Sequence, residues 1–218
     1  MEDIDKNVIE PKNQKIYIML SYTGTIPSKI IKWRTGNKFS HTSISLDDNL
    51  DNMYSFARKG IYNPLNAGFI KEDIRNGVFK RKPKTEIAVF GLDVTTEQYN
   101  GISKVIDEFV SIKNKVKYNF MALSTMIFFE YKKEVTNKYF CSGFVATVLK
   151  TNNINLFNKD SCIVFPQDFY EPLKNTGELI YEGNILSYPK YNLSKEIITE
   201  ENIEENYIPT ENIYQEIV

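Results

Sequence analysis

Hydrophobic and polar positions alternate along several short segments of the chain, and this pattern predicts strands rather than helices there. Residues 39–46 are the clearest case, because Thr42 and Ile44 point to one face while His41 and Ser43 point to the other. Turn-forming residues at 47–49 follow at once and predict a hairpin. The predicted strands are 15–22, 39–46, 52–58, 85–92 and 178–182.

Apolar residues recur at helical spacing in other segments. From Ile102 to Val110 the repeat follows a capping signature at residues 95–98. A second repeat runs from Phe140 to Leu149 and predicts a helix that buries one face and carries Cys141 on its first turn. Further helices are predicted at 25–36, at 119–131 and from Pro166 onward.

The mixture of strands and helices predicts an α+β fold in one domain. Residues 59–84 contain scattered glycine, asparagine and proline, and they are interpreted as a long irregular connection. No repeat or linker divides the chain, so the domain is placed at residues 15–190, after a polar lead-in at 1–14. The segment 191–218 is rich in glutamate and predicts a solvated acidic tail, with an acidic docking arm as the less favoured alternative.

Composition narrows the class of protein. The 218 residues are 42% hydrophobic and 25% charged, with a net charge of −1, which is typical of a soluble globular protein. No block of Lys and Arg is present, and this argues against nucleic acid as a partner. The N-terminus lacks the pattern of a secretory signal, and the longest apolar run, 120–129, is far shorter than the ~20 residues of a membrane span. A cytoplasmic protein is therefore expected, and its oligomeric state stays open.

Cys141 and His41 are the residues best suited to chemistry. Unpaired N–H groups and the helix dipole at the start of a helix stabilise a thiolate, which is how many nucleophilic cysteines are activated. His41 is the single histidine of the chain, and an imidazole is the usual base for such a thiol. The alternative for each is an inert role, Cys141 as buried packing and His41 as a surface or core side chain.

A third polar group normally orients the imidazole, and it is expected on the strand next to His41. Tyr54 and Ser55 are the candidates there, and strand alternation allows one of them to face the site. Ser55 is preferred, although a neutral hydroxyl makes a weaker hydrogen bond than a carboxylate. One histidine and two cysteines without zinc-type spacing predict no metal site, and residues 47–51 lack the glycine and glutamate of a calcium loop.

The order of these motifs resembles a known family. The segment 39–46 with His41, a hairpin, and a distant 139–145 with Cys141 are similar to the circularly permuted NlpC/P60 group. These are papain-like cysteine hydrolases of the YiiX/YaeF type, related to the lecithin:retinol acyltransferases. In this group the histidine strand precedes the cysteine helix, as it does here. The resemblance extends from about residue 15 to residue 169.

The resemblance implies a small antiparallel sheet packed against the cysteine helix and its neighbours. It implies Cys141 as nucleophile and His41 as base in hydrolysis of an amide or ester bond of a peptide, a cell-wall peptide or a lipid, without cofactor or metal. The position of the family's third residue falls on 53–56, where no acid stands, so Ser55 is assigned to it. Tyr22, Tyr54 and Ser142 are assigned to substrate binding, with an ordinary end-of-strand tyrosine as the alternative for Tyr22.

Two other functions remain open from the sequence. The missing acid favours a binding module on the same fold, which would hold a peptide, an amino acid or a lipid head group without turnover. A lipid hydrolase or acyltransferase is the second, with an acyl-chain pocket formed by the aromatic loop 62–70 and the apolar helix at 119–129. Cys162 is interpreted as a structural thiol, and a disulfide or resolving role has no supporting spacing.

Overall fold

A computed structural model of the protein describes residues 14–25, 28–29, 36, 38–58, 67–112, 117–118 and 138–192. The strands are β1 Gln14–Tyr22, β2 His41–Ser45, β3 Met53–Arg58, β4 Ala67–Glu72, β5 Glu86–Val94, β6 Lys117–Tyr118, β7 Lys138–Tyr139 and β8 Glu178–Asn184. The α-helices are α1 Gly77–Arg81, α2 Thr96–Ile112, α3 Cys141–Thr151 and α4 Tyr170–Thr176. Short 3₁₀ helices span Ser161–Ile163, Pro166–Phe169 and Ile185–Ser187.

The strands form one sheet in the order β7-β6-β4-β3-β2-β1-β5-β8. The six longer strands lie side by side in the order β4-β3-β2-β1-β5-β8, and each is antiparallel to its neighbours. The two-residue β7 is parallel to β6. A mixed sheet-and-helix architecture of this kind confirms the α+β class predicted from the sequence. No helix in the described part of the chain is both long and apolar enough to span a membrane.

Aromatic residues fill one side of the sheet. The rings of Phe56, Phe69, Phe109 and Phe144 contact one another with centroid separations of 5.1–5.8 Å. Since Phe144 belongs to α3, these contacts fix the cysteine-bearing helix against the middle of the sheet. The other side of the sheet has its own buried cluster, which includes Met19, Met53, Phe79, Val89 and Ile185.

The hairpin between β2 and β3 forms as the sequence predicts. The Asp47 carboxylate accepts hydrogen bonds from the N–H groups of Asp51 (2.9 Å) and Asn52 (2.8 Å). This is a side-chain-to-backbone turn, which aspartate favours, and it closes the hairpin. The hairpin sets the alignment of β2 with β3, and β1 then aligns with β2 by pairing Ser21 with His41.

The prediction of an irregular connection at 59–84 was wrong for its second half. β4 pairs with β3 over six residues, and α1 follows it. In β4 the core residue Phe69 lies between Gly68 and Ile70, and Lys71 and Glu72 end the strand. The segment therefore has too few apolar residues to show the alternation of apolar and polar positions that marks a strand. The strand forms because β3 supplies a hydrogen-bonded edge, which is a tertiary effect.

Several predictions fall on residues outside the described ranges. These are the lead-in before Gln14, which itself belongs to β1, most of the helix at 25–36, the helix at 119–131, and the acidic tail beyond residue 192. The 62–66 part of the predicted acyl-chain loop lies outside as well. Of its described end, Phe69 is 2% exposed and packs with the other aromatic rings, whereas Ile70 is half-buried.

Candidate active site

His41 lies at the first position of β2, where the strand leaves the preceding loop. The Ser40 N–H donates to the Ser21 carbonyl (3.0 Å), so the chain is already attached to β1 before the strand begins. Strand alternation then points His41 to the same side as Ser43. β2 lies between β3 and β1 in the sheet, so His41 stands at the end of a central strand. The His41 side chain is 18% exposed.

A carboxylate lies against this imidazole. His41 Nε2 is 2.9 Å from Glu72 Oε1 and 3.2 Å from Glu72 Oε2. The Ser43 hydroxyl donates to Glu72 Oε2 and lies 3.3 Å from His41 Nε2, so it joins both groups. The Glu72 side chain is 4% exposed, and a buried carboxylate of this kind needs such partners. Because Nε2 faces Glu72, the other ring nitrogen, Nδ1, is left for a second partner.

Cys141 is the first residue of α3 and lies beside the imidazole. The first helical hydrogen bond runs from the Phe144 N–H to the Phe140 carbonyl (2.9 Å). The neighbouring Ser142 hydroxyl donates to the Val164 carbonyl (2.6 Å) and ties the helix start to the segment that follows α3. Cys141 is 6% exposed, and its thiol interacts with His41 and with backbone N–H groups.

Electrostatics favour the charged form of the imidazole. Burial of His41 opposes protonation, but the negative charges of Glu72 and Cys141, together with their hydrogen bonds, outweigh burial and raise the pKa of His41 well above 6.5. Burial likewise opposes ionisation of Glu72, yet the His41 charge and hydrogen bonds lower the pKa of that carboxyl below 4.5. Glu72 therefore stays ionised near neutrality and holds a proton on His41.

The thiol is activated by the same arrangement. Burial opposes its ionisation, but the His41 charge, a hydrogen bond to His41, and the N–H groups of Thr42 and Ser142 together lower the pKa of Cys141 below 9.0. These interactions favour the thiolate of Cys141 beside a protonated His41, and a thiolate is the reactive form of a cysteine nucleophile. Acid, imidazole and thiol come from β4, β2 and the start of α3 and meet at one place.

Glu72 is the residue that the sequence analysis missed, and the assignment of the orienting role to Ser55 is corrected. Ser55 is fully buried on β3, and its hydroxyl is not among the described partners of the His41 imidazole. It lies close enough to Glu72 to lower the pKa of that carboxyl further. Ser55 therefore favours the ionised form of the Glu72 carboxylate, while Glu72 itself contacts the imidazole. The sequence offered one weak signal for Glu72. It is an acid at the end of the segment 67–72, in which apolar and polar residues alternate only weakly.

The three residues assigned to substrate binding are placed differently from one another. Tyr54 points to the opposite side of β3 from Ser55 and stacks on Phe69 at 5.8 Å, so it belongs to the aromatic cluster. Ser142 is fully buried, and its hydroxyl donates to the Val164 carbonyl, so this hydrogen bond already uses the donor of the side chain. Tyr22 ends β1 next to Ser21, half-buried, and its role stays a prediction.

Among the described residues, no group of three or more acidic, histidine or cysteine side chains is arranged to hold a metal ion. Cys141 and Cys162 are not joined by a disulfide, and Cys162 is half-buried on the 3₁₀ helix Ser161–Ile163 beside α3. Comparison with protein-family models finds no match for this chain, and comparison with curated proteins finds none either. The function is therefore argued from the geometry of the site.

Proposed function

We propose that the protein is a thiol hydrolase with Cys141 as nucleophile, His41 as general base and acid, and Glu72 as the group that orients His41. The contact of 2.9 Å between His41 Nε2 and Glu72 Oε1 carries this proposal, because it leaves Nδ1 as the ring nitrogen that can serve the thiol, and because the Glu72 charge favours the imidazolium. Hydrophobic residues would stabilise the fold as well as a buried series of acid, imidazole and thiol does. Such a series is therefore better explained by a functional role than by a structural one.

The order of the three residues along the chain supports a permuted papain-like arrangement. His41 comes first on β2, Glu72 follows on β4, and Cys141 begins α3. A missing acid was the observation that favoured a binding module, and the contact of Glu72 on β4 with the imidazole supplies an acid from another strand. Substrate classes remain those of the resemblance, namely amide or ester bonds in peptides, cell-wall peptides or lipids.

The reaction proceeds in two halves. The Cys141 thiolate attacks the carbonyl carbon, and the Cys141 N–H at the helix start donates to the oxyanion that forms. The bond to the leaving amine or alcohol breaks as His41 gives its Nδ1 proton to that group, which leaves a thioester. Nδ1 then takes a proton from water as the water attacks the thioester, and the acid product and the thiolate are released.

Thiol labelling tests the activated site without knowledge of the substrate. We expect iodoacetamide to label Cys141 well below pH 9.0, because His41 stabilises the thiolate. Peptide-resolved mass spectrometry separates Cys141 from Cys162. A His41→Ala variant should lose the labelling at acidic pH by about tenfold or more, since one pKa unit is a factor of ten. An ordinary thiol profile in the unaltered protein would contradict the proposal.

Turnover is tested on panels of peptides, acyl esters and lysophospholipids, with Cys141→Ala as the matched inactive variant. Hydrolysis by the natural protein and none by the variant is the expected result, because the thioester cannot form without the sulfur. The pH profile should be limited at low pH by the lowered pKa of Cys141 and at high pH by the raised pKa of His41. Binding of a panel member without turnover, together with an unactivated thiol, would instead favour the binding module.

A further inference from the structure

The segment 164–170, hereafter the bridge, contacts both halves of the candidate site. It follows α3 in the chain and includes the 3₁₀ helix Pro166–Phe169. At one end its Val164 carbonyl accepts the hydrogen bond from Ser142, the neighbour of Cys141. At the other end it contacts residues 38 and 39, which lead directly into His41. The bridge is thus a single piece of chain that touches the surroundings of both the thiol and the imidazole.

Gln167 makes the polar contact on the His41 side. Its Oε1 accepts hydrogen bonds from the N–H groups of Lys38 (3.0 Å) and Phe39 (3.2 Å), about 130 residues earlier in the sequence. Two consecutive backbone donors converge on one amide oxygen, so this side chain fixes the direction of the chain two residues before His41. Neither N–H has a strand partner, because β2 begins only at His41.

The packing around this contact is firm. Phe39 is 1% exposed and its ring stacks on Tyr170 of the bridge at 5.8 Å. The Tyr170 hydroxyl donates to Glu182 (2.6 Å), which raises the pKa of Tyr170 to about 12. Glu182 also pairs with Lys38. The approach to His41 is therefore held by the bridge and β8 together.

The bridge itself has little freedom to move. The Asp168 carboxylate accepts the Phe165 N–H (2.7 Å) and pairs with Lys159 at 2.5 Å. Phe169 is fully buried and contacts Phe157 with a centroid separation of 4.8 Å. One end of the bridge contacts the start of the cysteine helix, and the other contacts the residues that lead into His41. A bridge held firmly at both ends therefore sets the distance between the Cys141 thiol and the His41 imidazole.

We propose that Gln167 is a positioning residue that sets the place of the His41 imidazole relative to the Cys141 thiol. The inference rests on the proposed function, because it assigns Gln167 to the same site. Gln167 acts through the backbone of residues 38 and 39 and takes no part in the bond changes. Its amide oxygen is the required feature, since two N–H donors need an acceptor at that place.

The experiment compares two substitutions of similar size. Gln167→Glu keeps an acceptor oxygen at the same reach, whereas Gln167→Met keeps the length and removes the acceptor. Iodoacetamide labelling of Cys141 is followed from pH 5 to 9 by peptide-resolved mass spectrometry, alongside thermal unfolding of each variant. We expect Gln167→Met to label Cys141 about tenfold more slowly at pH 6, because a small displacement weakens the thiolate–imidazolium pair. Gln167→Glu should stay within about threefold of the unaltered protein.

The outcomes separate this inference from the proposed function. An unaltered protein with an ordinary thiol profile overturns the proposed function and this inference with it. An activated thiol that Gln167→Met leaves unchanged overturns the role of Gln167 alone. Equal loss in the Glu and Met variants also overturns it, because the acceptor would then be irrelevant. Should Gln167→Met unfold at the assay temperature, Gln167→Ala replaces it, and the same comparison with Gln167→Glu decides.

Discussion

Two charged clusters lie within three residues of each other at the end of β4, and they are built for different purposes. The first joins Glu72 to His41, Ser43 and Cys141. The second surrounds Arg75. In the first cluster Glu72 is ionised, and the imidazole of His41 and the thiol of Cys141 are the groups that can exchange a proton. In the second the charge of the guanidinium is permanent in this range.

The Arg75 cluster joins distant segments of chain. The guanidinium donates to Asp51 (2.7 Å), and to the backbone carbonyls of Tyr191 (2.9 Å) and Lys190 (3.0 Å). The side chain is 12% exposed, and it connects the β2–β3 hairpin to residues that follow β8. A guanidinium stays protonated at all these pH values, so Arg75 can hold its acceptors permanently and suits a structural contact. An imidazole can gain and lose a proton near neutral pH, which suits His41 to a reactive site.

The largest expected effect is on the first cluster. Glu72→Gln removes the charge that holds the proton on His41, and we expect hydrolysis to fall by up to about 10⁴-fold, as for loss of the acid in other acid–imidazole–nucleophile series. Labelling of Cys141 at pH 6 should fall with it. Asp73→Asn is the matched control, since Asp73 is the next residue and belongs to the Arg75 cluster. Equal losses in both variants would remove the distinction between the clusters.

The second effect is on stability. Arg75→Met leaves several carbonyls and Asp51 without their donor, and we expect the free energy of unfolding to fall by about 2–3 kcal/mol. Urea unfolding measures the loss, and Cys141 labelling at a temperature where the protein is folded should be unchanged. Lys71→Met, which removes one exposed contact to Asn52, serves as control and should cost below about 0.5 kcal/mol. A loss of thiol reactivity in the Arg75 variant would show that the clusters are coupled.

The third effect is the pH dependence of stability. The pKa of Glu72 is lowered, so its contribution is present above 4.5 and is lost as pH falls through the folded-state pKa. The pKa of His41 is raised, so its contribution is complete below 6.5 and is lost as pH rises through the folded-state pKa. The difference in unfolding free energy between the unaltered protein and Glu72→Gln should therefore be greatest between pH 4.5 and 6.5. For Arg75→Met the difference should be flat from about pH 5 to 9.

The smallest effect concerns Ser55. Its hydroxyl supports Glu72 and is not a described partner of the imidazole. Ser55→Ala should therefore reduce hydrolysis by no more than about tenfold, which corresponds to about 1.5 kcal/mol for one hydrogen bond to a charged group. Ser55→Thr adds a methyl group to a fully buried position and serves as a packing control. A loss as large as that of Glu72→Gln would return Ser55 to the orienting role.

Local patterns were sufficient for the thiol and the imidazole. Helical periodicity over 140–149 placed Cys141 at the start of a helix, and alternation over 39–46 placed His41 on the polar side of a strand. Both elements form as predicted, because each buries a face that its own sequence makes apolar. The carboxylate was not found in this way. Glu72 lies in a segment whose strand character depends on pairing with β3, so local pattern gave it no position.

The sequence by itself therefore determined the elements and the chemical character of two groups, a helix-start cysteine and a strand histidine. The tertiary structure decided that Glu72 faces the imidazole, that Tyr54 stacks on Phe69, and that the Ser142 hydroxyl donates to the Val164 carbonyl. The physical reason is the range of the interactions. Periodicity is set by neighbours a few residues apart, whereas the contact of residue 41 with 72, or of residue 38 with 167, exists only after strands and loops have been brought together.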